Sequence, residues 1–275
     1  MMKRAAAAEA ALQSLQHDVA TLLQARQFLL DQPTDDEALH QFRVSIRRLR
    51  SGLRPIQRWL TGDEVAVALG VLKQLAQASN PLRDHEVQAR LVHELLLPVW
   101  QPAHADWFAN KSAEQAAARR ALLLSLAEPA VAVQIGKLGE AAGAALVAHA
   151  RQVKPAVRRQ RRQLCKRVLK VARRPAWALR HSDRWHALRL DCKRLRYLLE
   201  GYQRAAGSGW AAEGAAAKRA QDVLGRLHDL VLFREQLARS DLPLLALSPM
   251  LQRLEQALEG EARQGIKTLR RALQA

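Results

Sequence analysis

Two stretches of this chain carry the same ordered set of cations and one imidazole. His40 to Arg50 reads HQFRVSIRRLR, and His186 to Arg196 reads HALRLDCKRLR. Both follow His-x-x-Arg-x-x-x-(Arg/Lys)-(Arg/Lys)-Leu-Arg, 146 positions apart. Read as helix at about 100° per residue, His40, Arg43, Arg47 and Arg50 fall within a stripe roughly 80° wide. Arg54 continues it, and His186, Arg189, Lys193 and Arg196 repeat it. A row of like charges repels itself unless something anionic lies along it. The expected occupant is an extended, multiply charged ligand.

The residue types fit that chemistry. Guanidinium makes planar, bidentate hydrogen bonds to phosphate oxygens and stays charged at any cellular pH. Cations one helical turn apart suit a linear chain with a charge on every repeat unit. A lone arginine of this kind is most often part of a solvated basic face. Two matched stripes in a chain of net charge +18 are poorly explained that way. Imidazole can donate a hydrogen bond to phosphate. A single such histidine would most often be packed near a helix start, and the repetition favours a ligand role for His40 and His186. The basic run Arg158 to Arg174 reads as a solvated face and as a candidate extension of the anion-binding surface.

Catalytic chemistry finds no comparable pattern. No Walker loop, HExxH, GxSxG or acidic metal cluster occurs in the sequence. A kinase or phosphatase would need metal-binding carboxylates close to the basic stripe. The nine histidines are scattered and none clusters with a cysteine as zinc ligands do. The expectation is therefore binding without catalysis, with no cofactor and no metal.

Composition sets the frame that must position these residues. Of 275 residues, 49% are hydrophobic, enough for a real core. Ala and Leu dominate and β-branched residues are scarce, which favours an all-α fold. The net charge of +18 and pI near 11.1 call for polyanionic partners: nucleic acid, an anionic membrane surface or inorganic polyphosphate. Aromatics are only 4%, and Tyr197 alone interleaves with the stripes, so a base-stacking platform is poorly supported. Sequence-independent binding to nucleic-acid phosphates is the second reading. Two cysteines, Cys165 and Cys192, argue against a disulfide scaffold and for a reducing cytoplasm. No apolar run of membrane-spanning length and no signal-peptide pattern is read.

Helical periodicity runs from about Lys3 to Leu30. Thr34 and Glu37 read as a capping box for the first signature helix, whose apolar positions are Val44, Leu49, Leu53, Ile56 and Leu60. Thr61-Gly62-Asp63 ends it. Helices are expected over Glu64 to Gln77, from near Asp84 to before Pro98, from Gln101-Pro102 to Pro129, and through the 130s and 140s. Pro155 punctuates the entry to the basic helix. Ser182-Asp183 opens the second signature helix, which runs to about Arg204, and Gly207-Ser208-Gly209 turns the chain. A helix to Leu224, a break at Gly225 and a restart near Asp229 follow. Ser248-Pro249 opens the last helix. Asp84 and Asp229 are expected to cap helices, and are candidates to orient basic residues across a bundle.

The repeat extends beyond the signature. Lys73 precedes Leu82-Arg83-Asp84 by the distance at which Lys218 precedes Leu227-His228-Asp229, at an offset of 145. Duplication of a helical unit explains this, with repeats at approximately 1–128 and 129–275. Each half holds enough helices for a four-helix bundle.

The two signatures, the Leu-Arg-Asp element at 82–84, the Leu-Gly-Arg-Leu-His-Asp element at 224–229 and Arg-Tyr-Leu-Leu-Glu at 196–200 resemble the CHAD family of helical domains. The resemblance spans from the first helix to about residue 240, with both halves in order. It implies two pseudo-symmetric antiparallel four-helix bundles with a shared basic cleft or pore, in a single domain over 1–275. It implies inorganic polyphosphate as ligand and association with polyphosphate granules. By resemblance the contacts are His40, Arg43, Arg47, Arg50, His186, Arg189, Lys193 and Arg196. Arg48, Lys73, Arg83, Arg194 and Lys218 join as neighbours; apart from the resemblance, Arg54 is a candidate contact as the continuation of the first stripe, and Tyr197 as a hydroxyl able to bond phosphate or to pack. Position 228 is His where the family often has a smaller polar residue. Many members also carry a triphosphate-cleaving domain, which is not found in this sequence, so no enzymatic role is carried over.

Overall fold

The structure, a computed structural model, describes residues 2–95, 105–172, 182–203, 210–238 and 248–274. Nearly all of this is helix, and no strand occurs among the described residues. The helices are α1 (Met2–Asp31), α2 (Asp36–Leu53), α3 (Asp63–Ala78), α4 (Asn80–Leu95), α5 (Ala105–Ala127), α6 (Pro129–Ala148), α7 (Ala150–Ala172), α8 (Ser182–Gly201), α9 (Ala211–Leu237) and α10 (Ser248–Gln274). A 3-10 helix, Arg54–Trp59, follows α2. The all-α expectation holds. The expected helix opening at Gln101-Pro102, the approach to Pro98, the Gly207-Ser208-Gly209 turn and the ends at Arg174 and Arg204 lie outside the described residues.

The chain forms two compact units, each assembled from separate segments. The first comprises 1–82, 115–162 and 197–211, and the second 83–114, 163–196 and 212–275. In the first, α1 packs on α2 and α6, and α3 packs on α6 and α2. Its core is Leu22, Leu29, Leu39, Phe42, Ile46, Leu49, Leu72, Ile135 and Leu138, all almost fully buried. In the second, Leu224, Leu227, Leu230 and Phe233 of α9 are buried, as are Leu258, Ile266 and Leu269 of α10. Ion pairs Arg226–Glu261 and Arg234–Glu255 tie α9 to α10 at the surface.

Several element boundaries differ from those the sequence indicates. Asp35, not Thr34, caps α2, its carboxylate accepting from the Glu37 N–H at 2.8 Å. Pro55 lies in the first turn of the 3-10 segment, where its missing N–H ends the α-helical ladder. The buried face of α2 is Leu39, Phe42, Ile46, Leu49 and Leu53, while Val44 is only half-buried. Gly62 leads into α3 at φ 101°, a left-handed conformation that side chains disfavour. Asn80 and Pro81 open α4 instead of turning the chain, because proline in a first turn forfeits no intrahelical bond. Pro155 lies inside α7, five residues after its start at Ala150. Burial of Val153, Ala156 and Val157 around it outweighs the one lost hydrogen bond. At Gly225 the helix continues, since a glycine costs about 1 kcal/mol and the buried leucines on either side of it contribute more.

Among the described residues α6 is the one helix long and apolar enough to cross a membrane. Its apolar face, Val131, Ile135, Leu138, Ala142, Ala145 and Leu146, is buried within the first unit. Close packing on α1 explains one of its glycines. A Cβ at Gly139 would come within 3.0 Å of Val19 Cγ2, whereas nothing lies within 4 Å of one at Gly136. Gly139→Leu should therefore destabilise the chain by about 1–3 kcal/mol through overpacking. Gly136→Ala in the same helix should stabilise it by roughly 0.8–1 kcal/mol through helix propensity. Urea-unfolding midpoints read both. Equal effects at the two positions would contradict the close α1–α6 approach.

Candidate functional site

The first cation row runs along α2, beside its buried face. The row and the leucine-rich face are centred roughly 100° apart around the helix axis. Arg43 is therefore drawn inward and is only 7% exposed. His40, Arg50 and Arg54 are exposed, and Arg47 is half-buried. Arg47 Nε donates to the Arg43 carbonyl at 3.1 Å, which aligns its side chain with the row.

The second row, on α8, repeats this arrangement. Arg189 is 9% exposed, while His186, Lys193 and Arg196 are half-buried. Among the described residues Arg43 and Arg189 are the two buried arginines. They occupy the same place in the two signatures. A long guanidinium side chain buries its methylenes against apolar neighbours and directs its polar end along the row. On the same helix, Asp191 accepts from Arg194 Nη1 at 3.1 Å and from Arg167 Nε of α7 at 3.2 Å. Arg194 is thus held by a carboxylate within its own unit.

Arg83 sits at a meeting of charges in the second unit. Its Nη2 donates to both oxygens of Asp229, at 3.1 and 3.0 Å, and Asp84 Oδ1 lies 3.8 Å from Nη1. The matched aspartates therefore converge on one guanidinium. Neither caps a helix: Asp84 lies within α4 and Asp229 well inside α9. The expectation that they orient a basic residue holds for Arg83. Burial raises the Asp229 carboxyl above its ordinary range, opposed by Arg83, Arg189 and Arg90. Beside it, the His228 ring lies 4.7 Å from that of His186. Burial first, then Arg189, His186 and Arg83, lower the His228 pKa from 6.5 to about 4. His228 is therefore a neutral imidazole at neutral pH, set among cations.

Other expected site residues lie elsewhere. Arg48 points away from the α2 row. It lines a cavity of about 520 Å³ with Tyr197, His17, Asp18 and Glu200. Burial raises the Asp18 carboxyl, and Arg48 and His17 oppose that rise. Tyr197 is 5% exposed, so packing dominates its role. Tyr202 Oη, one residue past the end of α8, donates to the Gly52 carbonyl of α2 at 2.5 Å within the first unit. Lys73 on α3 and Lys218 on α9 are exposed. Neither cysteine is in a disulfide and both are buried, and burial raises the Cys192 thiol to about 12. Among the described residues no three His, Cys, Asp or Glu side chains gather as a metal site.

Sequence reading did not find Asp191 and His228 as partners of the rows, and it named Asp229 only as a candidate to orient a basic residue, without Arg83 as its partner. The signal for Asp191 was present, since it falls one helical turn before Arg194. The placement of Asp229 depends on α9 continuing through Gly225, which no local pattern announces.

The CHAD domain family model matches residues 6–238. The fold is similar to the crystal structure of the CHAD domain from the plant Ricinus communis, with TM-score 0.71 and 22% identity, covering 98% of this chain and 92% of that one. It is also similar to PptA from Streptomyces chartreusis, with TM-score 0.60 and 19% identity, covering 98% and 99% of the two chains. No curated protein matches the chain.

The depressed His228 pKa has a consequence for stability. Folded, the imidazole binds its proton more weakly than in the unfolded chain. Its contribution to stability is complete above about pH 6.5 and is lost as pH falls towards about 4. His228→Gln removes this titration. Urea midpoints between pH 7 and pH 4.5 should fall less steeply for the variant than for the native chain. Parallel pH profiles would show that His228 is not desolvated among these cations.

Proposed function

We propose that this chain, a member of the CHAD domain family, binds inorganic polyphosphate without turning it over. The observation that carries the reading is the matched pair of rows, each with an inward arginine, Arg43 or Arg189, flanked by more accessible cations. The contacts proposed are His40, Arg43, Arg47, Arg50 and Arg54 on one row, and His186, Arg189, Lys193 and Arg196 on the other. Arg83 lies against the second row and is oriented by Asp229. Lys73 and Lys218 add exposed charge at matched positions. Arg48, Arg194 and Tyr197 act on the fold first, through Asp18, Asp191 and burial.

The family relationship supports two further parts of the reading. One is that the chain consists of two pseudo-symmetric four-helix bundles derived from a duplicated unit. The other is that binding serves to place the protein on polyphosphate granules in the cytoplasm. A polymer suits the rows because each phosphate brings a charge, and successive cations lie one helical turn apart. A longer chain engages more sites at once and gains affinity from the linkage.

Competition titration tests the ligand. Long-chain polyphosphate should displace a labelled polyphosphate at far lower phosphate concentration than triphosphate does. Duplex DNA should compete more weakly. Tighter binding of DNA at equal phosphate concentration would establish the nucleic-acid reading instead.

The rows are tested by Arg47→Ala with Arg50→Ala, and by Lys193→Ala with Arg196→Ala. These leave the inward arginines, and so the cores, intact. At about 1.5–3 kcal/mol per charged contact, each pair should lose well over tenfold in affinity with an unchanged helical circular-dichroism spectrum. If one pair abolished binding and the other had no effect, a single row would be the site.

A further inference from the structure

The N-terminal half of α7 carries a third group of cations, which the proposed function does not use. Lys154, Arg158, Arg161 and Arg162 are spaced so that they share one face of the helix, within roughly 100°. Together with Pro155 and Trp210 they line a half-open cavity of about 570 Å³. All six residues belong to the first unit. Among the described residues, those that line it include no acid. Four cations thus share one concavity, an arrangement that an anion stabilises.

Trp210 distinguishes this cavity from the signature rows. The Arg161 guanidinium carbon lies 5.5 Å from the centroid of the indole ring, a cation–π contact. Trp210 is half-buried, so it is not a fully enclosed core side chain. A second such contact, Arg58 over Trp59, joins chain neighbours, and Trp59 is already stacked on His149. Trp210 instead lines the cavity together with the cations. Inorganic phosphate has no use for an indole, whereas a nucleobase has a flat π-face that stacks on one. The volume falls in the range of small-ligand pockets, about 300–1,000 Å³, and suits one nucleotide rather than a duplex.

We propose that this cavity binds a nucleoside triphosphate. The base stacks on Trp210 beside Arg161, and the phosphates lie along Lys154, Arg158 and Arg162. No bond is made or broken. The site uses none of the signature residues, so it stands or falls independently of polyphosphate binding.

Calorimetric titration of the full chain with ATP and with inorganic tripolyphosphate tests it. ATP should bind the native chain more tightly than tripolyphosphate. Trp210→Ala should weaken ATP at least about fivefold, the low end for one base–aromatic stack, and leave tripolyphosphate unchanged. Trp210→Phe, which keeps a stacking ring, should retain most of the ATP affinity. Arg158→Ala with Arg162→Ala should weaken both ligands. Arg47→Ala with Arg50→Ala, on the α2 row, should leave ATP binding intact. The proposal is overturned if ATP binds no better than tripolyphosphate, if Trp210→Ala weakens both alike, or if the α2 variant abolishes ATP binding. A single-stranded oligonucleotide that bound more tightly than ATP through Trp210 would replace the nucleotide with a nucleic-acid strand.

Discussion

Like charges held in fixed rows repel one another, and this chain holds 44 lysines and arginines against 26 acidic residues. Each row must therefore be kept in place by something stronger than the repulsion. Apolar burial supplies that force along α2 and α8, where leucines and aromatics occupy the face next to the cations. A few acids provide local compensation. Asp229 holds Arg83, Asp191 holds Arg194 and Arg167, and Asp18 faces Arg48. Burial raises the carboxyls of Asp18 and Asp229, against the pull of neighbouring cations. Such acids add little net stability, because their desolvation offsets much of the attraction. Their effect is to set where particular guanidinium groups point.

The acids engage some cations and leave the overall charge strongly positive. Arg48, Arg83, Arg167 and Arg194 each face a carboxylate of their own unit. The remaining charge gives a field that attracts polyanions from solution and weakens as salt rises. His228 registers that field directly. Its imidazole stays neutral at physiological pH because Arg189, His186 and Arg83 add to the cost of burial. An anion lying against these cations would relax that constraint.

The helical composition, the duplicated signature and the polycationic character were legible because each depends on residue type and local spacing. The periodicity that places His40, Arg43, Arg47 and Arg50 on one stripe follows from helix geometry alone. Helix boundaries were less legible. Gly225, Pro155 and Asn80-Pro81 all read as interruptions, and all three lie inside or at the start of helices. In each case the local penalty is about 1–3 kcal/mol, or nothing in a first turn. Burial of neighbouring side chains overcomes it, and burial is a property of the assembled unit.

Sequence alone determined that there are two rows, which residues make them and that both are cationic. Charge and helical period are carried by the chain whatever it packs against. Tertiary structure alone decided how deeply each cation sits and which acid it meets. Arg43 and Arg189 are drawn inward because their stripe borders a buried face, while Arg50 in the same stripe remains exposed. Asp229 meets Arg83 from a position 146 residues away. That pairing required α4 and α9 to pack together in one unit, and no local spacing encodes the approach of two segments so far apart in sequence.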